Sequence, residues 1–199
     1  MVQYRDTTLT GKNIDFNNTD MHFLGPNLIL NDCNLTVKSK QKGFGVIGFQ
    51  MNGGCFEIKS NLRDFQFDQA KFENVKFLGL LCGIDFGWWD SSEPGSIKNC
   101  DFTEATFQSC RFLSTDMTTI KLPSWPHFSI PDPARLATWV KQHKWPDNLD
   151  VVLEVATDIE PGCSAAVDNA QILADADGIS LAEMRELLAP IPGIVITDG

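Results

Sequence analysis

Several features that mark common protein classes are missing from this sequence of 199 residues. No apolar run approaches the roughly 18 residues of a membrane-spanning helix, so we expect no contact with a membrane. The chain opens Met-Val-Gln-Tyr-Arg-Asp, without an apolar stretch behind a basic start, so we expect no signal peptide and a cytoplasmic location. No two cysteines have a C-x-x-C spacing and the three histidines are scattered, so we expect neither a metal nor a cofactor.

Basic residues are scarce in the last third of the chain. Residues 122–199 contain 4 Lys and Arg against 12 Asp and Glu, whereas residues 1–121 are nearly balanced, with 12 against 14. Binding to nucleic acid needs clustered cations, so we expect neither part to bind it. The acidity of the last third favours a basic protein as the partner.

What the sequence does contain is a large apolar residue at every fifth position in two stretches. The first stretch has Leu62, Phe67, Phe72 and Phe77, and the second has Ile97, Phe102, Phe107, Phe112 and Met117. Small residues stand two places before most of these anchors, namely Ala70, Val75, Cys100, Ala105, Cys110 and Thr115. A period of five fits neither a helix nor a strand. It is typical of a four-sided coil, in which each side sends one small and one large residue inward.

This pattern resembles the pentapeptide-repeat family, whose motif is small–polar–large apolar–x–x. The resemblance is specific for residues 60–82 and 97–119, weak for 9–36 and absent from the last third. It implies a mainly β fold in which residues 1–121 form a right-handed parallel β-helix of about five or six coils. Phe77 and Ile97 are separated by the length of one four-sided coil, so the phase should continue between them with Cys82 at an anchor position.

A different pattern begins near residue 122, where prolines at positions 123, 126, 131 and 133 end the period of five. We predict that residues 122–199 form a small, mainly helical subdomain. The open end of a solenoid has unpaired backbone groups that natural proteins cover, so this subdomain is expected to act as a cap.

Local signals place helices in this last third. Asp132 followed by Pro133 is expected to begin one helix. Residues 164–176 are rich in alanine and helical in character. Ser180 and Glu183 have the spacing of a capping box at the start of a further helix.

Six cysteines would allow disulfide bonds. However, Cys33, Cys100 and Cys110 fall at inward small positions, where a thiol serves as a small apolar residue. Together with the missing signal peptide, this favours reduced cysteines in a cytoplasmic protein.

The strongest candidate for a binding site is the segment 87–95, which carries turn residues and two adjacent tryptophans. Two neighbouring tryptophans cannot both face inward from an extended loop, so one is expected on the surface or in a partner. Tryptophan is enriched at binding hot spots. We therefore predict a partner-binding site formed by Trp88, Trp89, Asp90 and Glu93. The alternative is that one tryptophan packs over a coil face or on the C-terminal subdomain.

The resemblance implies a non-enzymatic, protein-binding β-helix of bacterial type. The interpretation that we favour is an immunity protein that binds and neutralises a cognate toxin, expected to be a basic secreted toxin or effector. An alternative is a DNA mimic that binds gyrase, as the quinolone-resistance pentapeptide proteins do, but such a mimic needs a long, regular and strongly acidic rod. A carbohydrate-active β-helix enzyme is a further alternative, although those enzymes have longer coils and a groove lined by carboxylates or bases.

Overall fold

The fold, taken from a computed structural model, is described for residues 1–60, 62–67, 69–87 and 95–198. The chain is mainly β, with 41% strand and 22% helix. It forms a parallel β-solenoid of about four turns, with a few short helices toward the C-terminus. The predicted fold class is confirmed.

The strands are short, and strands of successive turns lie beside one another. The solenoid strands are β1 (Val2–Tyr4), β2 (Thr7–Thr10), β3 (Asn13–Phe16), β4 (His22–Leu24), β5 (Leu28–Val37), β6 (Phe44–Val46), β7 (Gln50–Ile58), β8 (Lys71–Glu73), β9 (Lys76–Cys82), β10 (Asp85–Gly87), β11 (Ser96–Lys98), β12 (Ala105–Gln108) and β13 (Cys110–Leu113). The C-terminal part contains β14 (His127–Pro131), β15 (Cys163–Asn169), β16 (Val195–Ile196), α1 (Ala137–Lys141), α2 (Asp147–Thr157), α3 (Ala170–Asp177) and α4 (Leu181–Leu188). Short 3-10 helices span Gln41–Gly43, Met117–Thr119 and Pro133–Leu136.

The register of strand pairing shows how the chain winds. Leu9 pairs with Leu30, Leu30 with Met51, Met51 with Phe72, and Phe72 with Ile97. In the first three pairs, the partners are separated along the chain by one residue more than four pentapeptides. Phe72 and Ile97 are separated by the length of five pentapeptides. Because these turns are longer than four pentapeptides, no clean count of five appears before residue 60. The solenoid has about four turns rather than the five or six that we expected.

A second inward column contributes five buried side chains to the core. Ile14, Leu35, Phe56 and Phe77 pair in succession across β3, β5, β7 and β9. The ring of Phe102 stacks on that of Phe77, with centroids 4.5 Å apart and planes inclined by 6°. All five side chains are buried, and burial of each contributes about 1.5–3 kcal/mol to folding.

The period of five correctly predicts the inward residues of the two regular stretches. The large anchors from Leu62 to Phe77 and from Ile97 to Phe112 are buried, and so are the small residues Ala70, Val75, Cys100, Ala105 and Cys110. The last unit departs from this pattern, because Thr115 is only half-buried and Met117 begins a 3-10 helix. The strand geometry therefore ends one unit before the pattern in the sequence does, although Met117 still packs against the core.

The prediction of a single four-sided coil between Phe77 and Ile97 is wrong. Ile97 pairs with Phe72 instead, so this turn has the length of five pentapeptides rather than four. The described chain on either side of residues 88–94 is close together, since a Cβ placed on Gly95 would lie 3.2 Å from the carbonyl oxygen of Gly87. Gly87 and Gly95 are therefore neighbours on the coil.

The expected anchor position of Cys82 is also wrong by one residue. Leu81 is fully buried and pairs with Phe107. The thiol of Cys82 instead accepts a hydrogen bond from Arg63 Nη1 at 3.3 Å and donates one to Gln108 Oε1 at 3.4 Å. Arg63 and Cys82 form an isolated parallel β-bridge, and they are separated along the chain by one residue less than four pentapeptides. The position of the inward residues therefore shifts by one within this turn.

Left-handed backbone conformations mark the corners of the solenoid. One column of corners contains Gly11, Asp32, Gly53, Asn74 and Asn99, with φ between 50° and 76°. Glycine has no steric penalty in this region, and short polar side chains such as Asn and Asp tolerate it better than other residues. These five Gly, Asn and Asp residues therefore mark where successive turns of the chain pass from one side of the solenoid to the next.

The two ends of the solenoid differ. Among the described strands, β1 pairs only with β4, and β2 and β3 pair only with β5, so each has one unpaired edge. At the other end, β13 pairs antiparallel with β15, β15 with β14, and β14 with β16. One side of the solenoid thus continues as a sheet into the C-terminal part. The domain boundary at residues 121 and 122 stays a prediction.

The C-terminal part has a hydrophobic cluster of its own, formed mainly by β14 and the four helices. The predicted capping box is confirmed, with Ser180 and Glu183 bonded reciprocally at the start of α4. The helical prediction for 164–176 is wrong in its first half, because residues 163–169 form β15 and α3 begins only at Ala170. Pairing of β15 on both edges outweighs the helix propensity of its alanines. Within the described residues, no helix combines the length and the apolar character needed to cross a membrane.

The predicted helix start at Asp132 is only partly correct. Pro133 does begin a 3-10 helix, which leads into α1. Asp132 itself has φ 44° and makes no capping hydrogen bond through its side chain. It therefore occupies the N-cap position with a left-handed backbone, but its side chain does not cap the helix.

Candidate functional site

The predicted partner-binding residues Trp88, Trp89, Asp90 and Glu93 lie outside the described residues. That site therefore stays a prediction. The strands that flank it, β10 and β11, are described, and β10 pairs with β13. The segment thus begins at the side of the solenoid that continues into the C-terminal part.

A cleft of about 150 Å³ lies between this side of the solenoid and helix α2. Its solenoid wall includes a second column of left-handed corners, formed by Asp64, Gly83 and Ser109. Much of the remaining wall is apolar and comes from β14 and α2, with Phe128, Ile130, Val152, Val155 and Ala156. Segments distant in sequence build the cleft together, and for this reason the period of five gave no sign of it.

Helix α2 is held in place by its buried side chains and by a cap from α3. Leu149 and Leu153 are fully buried in the C-terminal cluster. The backbone N–H groups of Asn148 and Leu149 donate to the carboxylate of Asp177 at 2.8 and 3.1 Å. This carboxylate satisfies donors that a helix start leaves unpaired, so the position of α2 over the cleft is fixed at its first turn.

Gly83 brings two turns of the solenoid into close contact at the cleft. Its φ is +61°, and a Cβ at this position would lie 2.1 Å from Oδ1 of Asp64. Only glycine leaves room for that carboxylate, so Asp64 can lie against the backbone of the next turn. A negative charge thereby belongs to the solenoid wall of the cleft.

Asp168 provides a second carboxylate in the cleft, and it is buried, with 3% of its surface exposed. One oxygen accepts hydrogen bonds from the backbone N–H and the hydroxyl of Ser109, at 3.0 and 3.2 Å. The other accepts from the backbone N–H of Asn169 at 2.7 Å. Burial raises the pKa of Asp168 to about 6, because desolvation disfavours the ionised form. Within the described part of the chain, no basic side chain forms a salt bridge to it.

His127 links the solenoid to the C-terminal part beside this carboxylate. Its Nε2 accepts from the backbone N–H of Phe107 at 3.3 Å and from the side-chain amide of Asn169 at 3.1 Å. Its Nδ1 lies 3.2 Å from the carbonyl oxygen of Ser124 and donates to it. Burial lowers the pKa of His127, which favours the neutral ring that these bonds require. His127 is therefore a structural link across the junction.

The cation in the cleft wall is already engaged by a carboxylate. Arg111 donates from Nε and Nη2 to the two oxygens of Asp85, at 2.7 Å each. Bonding to Asp85 raises the pKa of Arg111. A bidentate pair of this kind is strong and geometrically specific, so the positive charge of Arg111 is offset within the solenoid.

Exposed apolar residues continue from the cleft onto the outer face of α2. Val151 and Val155, one helical turn apart, are 59% and 56% exposed. The exposed acidic residues Asp147, Asp150 and Glu154 surround them on the same helix. An apolar centre with a charged rim is typical of a protein interface. The sequence contains a pattern that could have predicted this surface. Leu149 and Leu153 have the spacing of one face of a helix, and this spacing leaves both valines on another face.

Burial holds three of the cysteine thiols in the protonated, unreactive form. All six cysteines are free thiols. Burial raises the pKa of Cys100 and Cys163 to about 11 and that of Cys110 to about 12, so these thiols stay protonated near neutral pH. Within the described ranges, no three His, Cys, Asp or Glu side chains are grouped so that they could hold a metal ion.

Comparison with known proteins adds no relative. No family model matches this chain, and neither the search of curated proteins nor the search of solved structures finds a significant match. Function is therefore inferred from the chemistry of the cleft and of the surface of α2.

Proposed function

We propose that this chain is a non-enzymatic protein-binding module of the pentapeptide-repeat type. Its role is that of an immunity protein, which binds and neutralises a basic secreted toxin or effector in the cytoplasm. The observation that carries the proposal is the exposed pair Val151 and Val155 on α2, which lies within an acidic rim and beside the cleft.

Charge supports a basic partner. Residues 122–199 contain 12 acidic residues against 4 basic ones, and several of the acidic residues lie on α2 next to the valines. A surface of one sign steers an oppositely charged protein toward it and raises the association rate. Toxins that attack nucleic acids or nucleotides are often basic, and such a protein would meet both the electrostatic and the apolar requirement.

The solenoid supports the binding role by holding this surface rigid. Stacked inward columns fix each turn against its neighbours, and β13 joins the solenoid to β15 directly. A surface that is already ordered loses little conformational entropy when a partner binds, so more of the interaction energy appears as affinity.

The proposal is tested with the full chain, immobilised and exposed to the proteins of its native host. A retained protein is identified, and its toxic activity is assayed with and without a stoichiometric amount of the chain. Inhibition supports the proposal, whereas retained proteins that keep their activity, or no retained protein at all, contradict it. Inhibition of gyrase supercoiling by the purified chain would favour the DNA-mimic alternative instead.

A matched pair of variants tests the surface itself. The double change Val151→Ser and Val155→Ser should leave the circular dichroism spectrum unchanged and weaken the complex by about tenfold or more, because two apolar contacts are lost at the centre of the interface. Val195→Ser is the control, since Val195 is 47% exposed on β16. Equal weakening by the control would place the interface elsewhere.

A further inference from the structure

We infer that the cleft beside α2 receives one arginine side chain of the protein partner. This inference rests on the proposed function, because it names the part of a basic partner that docks at the acidic face. The cleft opens next to the exposed valines, so one bound segment can cover the apolar pair and reach into the cleft.

The shape of the cleft fits a long side chain with a polar end. Its volume is about 150 Å³, and a cavity of this size admits a molecule as large as benzene. Val152, Val155 and Ala156 provide apolar walls on the α2 side. The methylene groups of an arginine pack well against such walls while the guanidinium reaches a polar group beyond them.

Asp168 is the polar group that the guanidinium would reach. An ionised carboxylate offers about four acceptor positions, and the structure fills three of them through Ser109 and Asn169. Burial of an ionised carboxylate without a cation is costly, and the raised pKa of Asp168 is a sign of that cost. A cation in the cleft would offset it.

The other charges of the cleft also favour a cation. Asp64 adds a second negative charge to the solenoid wall, and the charge of Arg111 is offset by Asp85. Arginine suits this position better than lysine, because the guanidinium is more weakly hydrated and its planar fork matches a carboxylate.

The experiment uses the full chain labelled with ¹⁵N and the peptide acetyl-Leu-Arg-Leu-amide as the probe. Titration should produce saturable shifts of the backbone amide signals of Ser109, Ala156 and Asp168. Two otherwise identical peptides with glutamine or glutamate in place of arginine are the controls, and they should bind at least about fivefold more weakly. Ala156→Leu fills the cleft from α2 and should abolish the shifts, whereas Val195→Ser should leave them intact.

Several results would overturn the inference. The first is that the glutamine peptide binds as tightly as the arginine peptide. The second is that the shifts persist in a correctly folded Ala156→Leu variant. The third is that the arginine peptide causes no shifts at all. Asp168→Asn should weaken the arginine peptide by about fivefold while affecting the glutamine peptide little. If the peptide titration fails but the chain neutralises a toxin, only the arginine site is rejected. Peptide binding without neutralisation would instead reject the proposed function.

Discussion

Replacement of Phe102 by alanine should cause one of the largest losses of stability available in the core. The ring is fully buried, stacks on Phe77 at 4.5 Å, and has centroids 5.2 to 5.5 Å from the rings of Phe86, Phe107 and Phe112. Truncation of a buried Phe costs about 3–5 kcal/mol. We expect the upper part of this range, because each lost aromatic pair adds roughly 0.5–1.5 kcal/mol and the paired strands prevent collapse into the cavity.

Urea unfolding followed by far-UV circular dichroism measures the loss, with the slope of the transition checked for constancy. The control is Lys98→Ala, a change at an exposed position of the same turn, which should stay within about 0.5 kcal/mol of the wild type. A loss below about 2 kcal/mol for Phe102→Ala would refute the assignment of Phe102 to a tightly packed column. Equal losses for the two variants would refute the division into inward and outward positions.

The buried carboxylate and the thiols give further predictions. The pKa of Asp168 is raised to about 6, above the value near 3.9 of an unfolded chain, so the native state binds more protons between these values. The contribution of this group to stability therefore rises as the pH falls from about 7 toward about 4. We therefore compare the unfolding free energies of the wild type and Asp168→Asn. The wild type should be more stable relative to the variant at about pH 5 than at about pH 7. The same difference at both pH values would contradict the raised pKa. Thiol titration of the denatured protein should find all six cysteines reduced, and reductant should leave the melting temperature unchanged; a disulfide would count against a cytoplasmic location.

The interior of the regular turns could be predicted from the sequence because each unit of five repeats the same local geometry. Phe107 and Phe112 are inward for the same reason as Phe102, and their environment is set by residues at fixed offsets along the chain. The prediction fails where a turn changes length. Cys82 lost its expected position to Leu81 because the turn between the bridge partners Arg63 and Cys82 is one residue short of four pentapeptides, and a count of five has no means of registering a missing residue.

The junction and the cleft could not be predicted because they depend on contacts between distant segments. Residues 163–169 look helical by composition but form β15, since β13 and β14 offer strand edges on both sides. Asp168 reads as one more acidic residue in the sequence, and only its bonds to Ser109, far earlier in the chain, place it in the wall of a cleft.

The unpaired edges of β1, β2 and β3 have a consequence for how firmly different parts of the molecule are held. In a solenoid each turn is stabilised by its neighbours, and among the described strands the first turn has a neighbour on one side only. Backbone opening should therefore begin there and advance one turn at a time. The turn that carries Ser109 lies next to the junction with β15, farthest from that fraying end. We therefore expect thermal fluctuation at the cleft to be small, and partial unraveling of the first turn to leave the cleft intact.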